Sequence, residues 1–397
     1  MATRWIVLVG LVLARIAFAF QLQSVAVVAP GLIDDFALDA LSVGTLVGLF
    51  MLPGLVLAIP GSLIGQWFGE RRFLIACLVA MTAGGVICGL AEDYRWLWFG
   101  RLFSGFGGIG LNVVMAKIVI DWFQDKEIAT AMALFLAGYP AGIALALVTL
   151  GHLATVEAWP TAFMATAALS FAALVVFVAT YRAAERTGDD AESAAKPSRG
   201  EMGMVSIAGL IWALYNAAYI VVVSFVPLYL VSQGIAPGTA TSLVGIGLWV
   251  AIFAAPLGGI IADRFGRSNL IIVTGVLIWG FGLLLVVPWA HSIPLLVLLF
   301  AATALIGNIP PGPIVALASE VLRPQARGAG MGVFYTWVYG GIALGPMIGG
   351  YVSDRAGDPA APVYLISGFA LLTVITLGLF RGLQARGFPA AVYLDQR

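Results

Sequence analysis

The sequence predicts an all-α membrane protein: twelve transmembrane helices in two pseudo-symmetric six-helix bundles. Three observations lead there. Of 397 residues, 61% are hydrophobic and 10% charged, with a mean hydropathy of +1.02; a soluble domain carries ~25% charged residues. The apolar runs reach the ~20 residues that cross a ~30 Å hydrocarbon core. The chain also repeats itself: AIPGSLIGQWFGERR, from Ala58, matches AAPLGGIIADRFGRS, from Ala254, in a register of 197 residues that pairs Gly61 with Gly258 and Phe68 with Phe265. A six-plus-six chain with repeated halves is the pattern of a transporter that rocks around a midplane site.

In order, the first six apolar spans are 4–29, 42–64, 73–91, 96–120, 128–151 and 158–181. The second six are 203–230, 239–262, 270–290, 294–319, 330–352 and 362–381. The domains expected are therefore an N-terminal bundle (1–181), a cytoplasmic linker (182–202) and a C-terminal bundle with a short tail (203–397). The linker, YRAAERTGDDAESAAKPSRGE with its flanks, is too polar to bury a core. The start, MATRWIVLVGLVLAR, shows no small-residue cleavage site and is read as the first span, not as a signal peptide. With both termini cytoplasmic, fifteen of the twenty lysines and arginines fall on that side. That asymmetry fixes the orientation and points to a multi-pass protein of the cell (inner) membrane.

Net charge is zero, so nothing calls for nucleic acid. No His/Cys/Asp cluster has metal-ligand or catalytic spacing, so no enzyme, metal or cofactor is expected. Cys77 and Cys88 lie in one apolar run and read as small packing residues.

GGIIADRFGR, Gly258 to Arg267, resembles the loop signature of the major facilitator superfamily, found between spans 2 and 3 and again between 8 and 9. RLFSGFGG, with Arg101 and Gly105, resembles its span-4 motif. The resemblance covers the whole chain and implies that spans 1, 4, 7 and 10 line a central cavity. It implies gating roles for Asp263, Arg264 and Arg267 in the loop. The first copy departs from the signature, with Gln66 where the family has an aspartate, so Asp263 is left to latch the cytoplasmic side alone. Gly332, Gly341, Gly345, Pro346, Gly349 and Gly350 match the spacing of an antiporter motif, but in span 11 instead of span 5. Close helix packing is the expected role, and antiport is not inferred.

The amide side chains within the spans agree with that cavity. Gln21, Gln23, Asn112, Asn216 and Asn308 fall in spans 1, 1, 4, 7 and 10; such groups are expensive in lipid and turn inward. Arg15, Arg101 and Lys117 are the cations within spans, and no span holds Asp or Glu. A buried cation without a counter-ion is costly, so a bound anion is its natural partner. Arg15 sits near the middle of span 1. It is either the anion anchor or a cation bonded to carbonyls at a kink. Arg101 is either a hydrogen-bond hub or a gating residue, and Asn112, eleven residues on, lies about 20° from it around the helix. Lys117 reads as a snorkelling side chain. Tyr215 and Tyr219, one turn apart with Asn216 between them, are either hydroxyl donors to the anion or a core pair. GNIPPGP, Gly307 to Pro313, breaks span 10. Gly307 and Pro310 form either a gate hinge or a static kink.

Substrate-binding residues expected are therefore Arg15, Gln23, Tyr215, Asn216, Tyr219 and Asn308. The substrate expected is a small, singly charged anion, moved by a monomer embedded in the lipid bilayer through alternating access. The Arg15 region, GERR and the Gly-rich span 4 are similar to the cyanate and nitroimidazole permease group. Proton-driven efflux of a neutral hydrophobic compound is the alternative. A membrane enzyme or sensor lacks any supporting constellation.

Overall fold

The computed structural model describes residues 2–58, 69–123, 127–156, 158–181, 197–265, 267–323 and 326–386. Among the described residues, twelve helical spans follow one another. Span 1 is Ala2–Phe36, and span 2 runs Ala40–Leu49, turns at Pro53 and resumes over Gly54–Leu57. Spans 3 to 6 are Glu70–Gly89, Tyr94–Phe123, Ile128–Val156 and Trp159–Thr180. Span 7 is Arg199–Ser232 and span 8 Pro237–Phe265. Span 9 is Ser268–Gly282 continued through a 3-10 turn to Val286–Trp289, and span 10 is Ile293–Gly307 plus Pro311–Val321. Spans 11 and 12 are Arg327–Ala356 and Ala361–Ala385. Eleven of the twelve are long and apolar enough to cross a membrane, and span 8 contributes a shorter apolar stretch, Pro237–Ala251.

Packing repeats between the halves. Span 1 packs on 5 and 6, and span 3 on 4 and 6; in the same way span 7 packs on 11 and 12, and span 9 on 10 and 12. An even number of spans leaves both chain ends on one side, called here the termini side. On that side each half carries an ion pair in corresponding positions: Arg4 with Glu127, and Glu201 with Arg323. Glu201 is buried at 3% exposure. It accepts from Arg323 Nε at 2.9 Å and Nη2 at 3.0 Å, and it completes a capping box with Ser198.

Arg101 ties spans 1, 2 and 4 together. It is 1% exposed. Its Nε donates to the Leu46 carbonyl (2.9 Å), Nη1 to Gln21 O (2.7 Å) and Ser24 Oγ (3.4 Å), and Nη2 to Leu22 O (3.0 Å). The guanidinium also lies 4.7 Å from the Phe50 ring centre. Backbone carbonyls carry partial negative charge and a second lone pair, so a helix can neutralise a cation with no carboxylate present.

The halves meet through spans 2 and 11, 5 and 8, and 1 and 7. Spans 2 and 11 approach backbone to backbone: a Cβ on Gly44 would stand 2.1 Å from the Pro346 carbonyl oxygen, and one on Gly350 would stand 2.2 Å from Ala40 O. The glycine-rich stretch of span 11 is thus a packing surface, facing span 2 through Gly350 and span 7 through Gly341 and Gly345. At the far side, Asp354 of span 11 accepts from the backbone N–H of Ala40 (3.0 Å) and Leu41 (2.7 Å), while Asp39 accepts from Ser42 N (2.8 Å). The orphan donors that open span 2 are satisfied by two carboxylates, one from each half.

Span 10 breaks where the sequence places GNIPPGP. Pro310 and Pro311 cannot donate to the helix ladder, and Asn308 caps the first segment. The freed Gly307 carbonyl accepts from the Tyr215 hydroxyl at 2.7 Å. The break is packed tightly: Gly258 of span 8 lies against Ile309, and Gly275 of span 9 lies against Pro310. Asp263 and Gln66, on which the expected cytoplasmic latch turns, lie outside the described side chains; Arg264 and Arg267 are exposed at the loop.

Two predictions follow from this packing. Arg101→Lys keeps the charge but not the planar fork that reaches three carbonyls on two helices. It should lower the thermal unfolding midpoint of the purified protein by the equivalent of about 2 kcal/mol, and an unchanged midpoint would contradict the hub. Asp354→Ala should weaken the far-side closure by about 1 kcal/mol, roughly a fivefold shift in population. Distances between spin labels at Asp34 and Arg355 read this directly, as growth of a longer-distance population.

Candidate functional site

Between the halves, Arg15 enters from span 1. Its Nη1 donates to Asn112 Oδ1 of span 4 at 2.6 Å, and Asn112 Nδ2 donates to the Tyr339 hydroxyl of span 11 at 3.1 Å. The guanidinium carbon is 4.4 Å from the Phe135 ring centre and 5.9 Å from that of Tyr139, both on span 5. Tyr335 packs on Tyr339, with ring centres 6.4 Å apart. Arg15 Nε is buried with no hydrogen-bond partner among the described residues. No described carboxylate pairs with this arginine. The contrast with Arg101 is one of valence: one neutral amide oxygen meets a fork of five donors, and aromatic faces supply the rest as cation–π contact.

The C-terminal half presents aromatic rings. Trp212 stacks on Tyr215 at 5.1 Å, Tyr215 packs on Trp279 at 5.2 Å, and Tyr219 reaches Trp279 at 6.3 Å. Beside Tyr219 and Trp279, the helices of this half leave a small, partly open cavity of about 30 Å³ lined from spans 7, 8, 9 and 10.

The structure separates the residues expected to bind substrate into two groups. Arg15, with Asn112, forms the cationic centre; Tyr219 and Asn308 both line the cavity in the C-terminal half. Asn308 Nδ2 donates to its own helix at Ala304 O, 2.8 Å. Tyr219 makes no hydrogen bond among the described residues. The other three have their donors engaged in holding helices. Tyr215 braces Gly307, and Asn216 Nδ2 donates to Trp212 O at 2.8 Å. Gln23 lies eight residues beyond Arg15, about 12 Å along the helix; its Nε2 donates to Val223 O of span 7 at 2.9 Å, a tie between the halves. Asn112 faces Arg15 and Tyr339, whereas Arg101, despite its similar helical angle, is a full three turns away. Nothing is described of the Lys117 side chain.

Sequence reasoning missed Phe135, Tyr139, Tyr335, Tyr339 and Trp279. A search for charges and amides passes over hydroxyls and rings. The signal for two of them was present: Tyr335 and Tyr339 repeat the one-turn spacing of Tyr215 and Tyr219. Among the described residues no group of three or more His, Cys, Asp or Glu side chains can hold a metal. Cys77 and Cys88 are free and buried.

Comparison with known proteins agrees with this architecture. The chain is 25% identical to the 3-(3-hydroxy-phenyl)propionate transporter of Escherichia coli (strain K12) over 395 residues, covering 94% of this chain and 95% of that one. It is 30% identical to the multidrug resistance protein MdtG of Citrobacter koseri over 182 residues, covering 44% and 43% of the two chains. Among solved structures it resembles a bacterial homolog of the human lysosomal transporter Spinster in an inward-facing, unoccupied conformation, with a TM-score of 0.72, 18% identity and 98% of each chain covered. At that identity the likeness shows the fold alone. Residues 11–242 and 207–389 match the Major Facilitator Superfamily. With the span order, the repeated packing and the matched sequence all in agreement, the chain belongs to the Major Facilitator Superfamily of membrane transporters.

Proposed function

We propose that the protein moves a small monovalent anion, an organic monocarboxylate in the first place, by alternating access around Arg15. The observation that carries this reading is the incomplete neutralisation of Arg15: its Nε has no partner, and a neutral amide is its one described side-chain acceptor. An ionised carboxylate supplies two oxygens in the geometry of the guanidinium fork. Tyr139, Tyr335 and Tyr339 add hydroxyls from two further spans, and a permanent charge in a low-dielectric site attracts an anion more strongly than in water. The full-length match to an aromatic-acid transporter supports the carboxylate. The similarity of the Arg15 region to cyanate and nitroimidazole permeases supports a single charge. The loop residues Asp263, Arg264 and Arg267 then belong to gating, with Gly307 and Pro310 as the hinge of span 10, while Arg101 acts as the hydrogen-bond hub of spans 1, 2 and 4. The protein works as a monomer in the cell (inner) membrane with both termini cytoplasmic.

The described part of the spans shows no acidic proton carrier facing Arg15. Transport is therefore exchange, facilitated flow, or symport in which the proton travels with the substrate-bound state. The half-length match to MdtG favours one second reading, the efflux of a neutral hydrophobic compound through the same aromatic-walled cavity.

Arg15→Ala should leave the fold intact and weaken carboxylate binding at least about 30-fold. Arg15→Lys, which keeps the charge and loses the fork, should fall between. Ligand-induced thermal stabilisation of the purified wild type and both variants measures this. Wild-type-like carboxylate binding in a folded Arg15→Ala protein would sink the anion reading.

A further inference from the structure

We propose that Gln23 is a latch of the far side: it clasps span 7 at a carbonyl freed by proline, holds spans 1 and 7 together while that side is closed, and lets go as the halves rock. Pro227 lies inside span 7. It has no N–H, so the carbonyl four residues earlier, that of Val223, has no donor in its own helix. Within a bilayer such a carbonyl needs a partner from elsewhere in the protein or from water. Here the partner comes from the other half: Gln23 Nε2 of span 1 donates to Val223 O at 2.9 Å. Gln23 and Val223 are both buried, so bulk water does not compete for this carbonyl.

The internal repeat makes the clasp one-sided. Pro30 lies inside span 1 and is the equivalent of Pro227 in the 197-residue register. Each half thus frees one carbonyl at an equivalent place, Ala26 in span 1 and Val223 in span 7. The equivalent of Gln23 is Ile220, which has no donor to offer Ala26. When the far side opens, Gln23 withdraws. The Val223 carbonyl cannot rejoin its own helix ladder, because Pro227 supplies no N–H, and water entering the cleft becomes its partner. An ordinary helix carbonyl is satisfied in both arrangements and is indifferent to them. This one is satisfied by protein when the side is closed and by solvent when it is open. Gln23 Oε1 and Ser224 Oγ are buried without a hydrogen-bond partner among the described residues, so hydration on opening works against the latch and keeps closure reversible.

The experiment is a double-mutant cycle on the full-length purified protein, read as the distance distribution between spin labels at Asp34 and Arg355. Cys77 and Cys88 are buried and do not compete for the label. Gln23→Met keeps the side-chain length and loses the donor. Pro227→Ala returns an N–H to the Val223 carbonyl, and Pro227→Leu does the same if the alanine variant does not fold. With Pro227 in place, Gln23→Met leaves that carbonyl bare in the closed arrangement alone and should raise the ratio of open to closed populations. In the Pro227→Ala background the same change should raise it about fivefold less. Gln23 Oε1 is removed in both backgrounds, so its contribution cancels from the comparison. Gln23→Met that folds only in the Pro227→Ala background is a rescue and supports the latch. Equal shifts in the two backgrounds, no shift in either, or failure to fold in both overturns it. So does a lowered unfolding midpoint with an unchanged distance distribution, the mark of a tie that holds the fold and takes no part in opening. No ligand is present in these measurements, so their outcome leaves the anion reading untouched.

Discussion

Arginine cannot shed its charge within a membrane, and the two described intramembrane arginines answer that constraint in different ways. Arg101 spreads its donors over the carbonyls of Gln21, Leu22 and Leu46 and the Ser24 hydroxyl. Its charge is consumed in fastening three helices. Arg15 makes one hydrogen bond to a side chain and rests on aromatic faces. The first arrangement is complete and rigid. The second leaves binding capacity at the boundary between the halves, where an anion can use it.

Internal symmetry supplies the frame, and departures from it supply the site. Arg4 and Glu201 occupy the same place in the 197-residue repeat. Each pairs with a residue between the fourth and fifth spans of its own half, yet the charges are exchanged: Arg4 with Glu127, Glu201 with Arg323. The contact survives with either polarity because what it stabilises is the approach of two helix ends. At the level of Arg15 no such equivalence holds. The corresponding position in span 7 is Trp212, part of the stacked rings against Tyr215. At matching positions, then, one half carries a cation and the other a stacked aromatic pair.

Much of this was legible before any coordinates. Span number, the break at GNIPPGP and the helix-packing role of the span 11 glycines follow from hydropathy, proline chemistry and small-residue spacing, all of which are local. The lack of membrane carboxylates marked Arg15 as unusual, since charge inventory needs no geometry. Partnerships were not legible. Whether Arg101 meets carbonyls or a ligand depends on where spans 1 and 2 stand against span 4. Gln23 and Tyr215 read as cavity residues because an intramembrane polar group must find a partner, and the sequence does not say which one. In both cases the partner is a carbonyl on another helix. The cavity itself is a property of four helices at once, so no single-span pattern announces it.

The polar ties that cross between the halves, among the described residues, are few and unequal. Gln23 to Val223 and Asn112 to Tyr339 are hydrogen bonds between neutral groups, each contributing about 1 kcal/mol. Asp354 at the start of span 2 places a charge on a helix N-terminus, where dipole and orphan donors act together. None of these is large against the packing of spans 2 and 11, yet packing between glycine-lined backbones has little tolerance for small displacements. The closed far side therefore rests on shape fit, with the Asp354 cap adding directional selectivity. Such a contact opens as a unit when the halves rock, because once the backbones part the carboxylate loses both donors together. Arg15 lies inside this closure and is held to the opposite half only through Asn112 and Tyr339. Asn112 thus joins the two, holding Arg15 through its oxygen and the opposite half through its nitrogen.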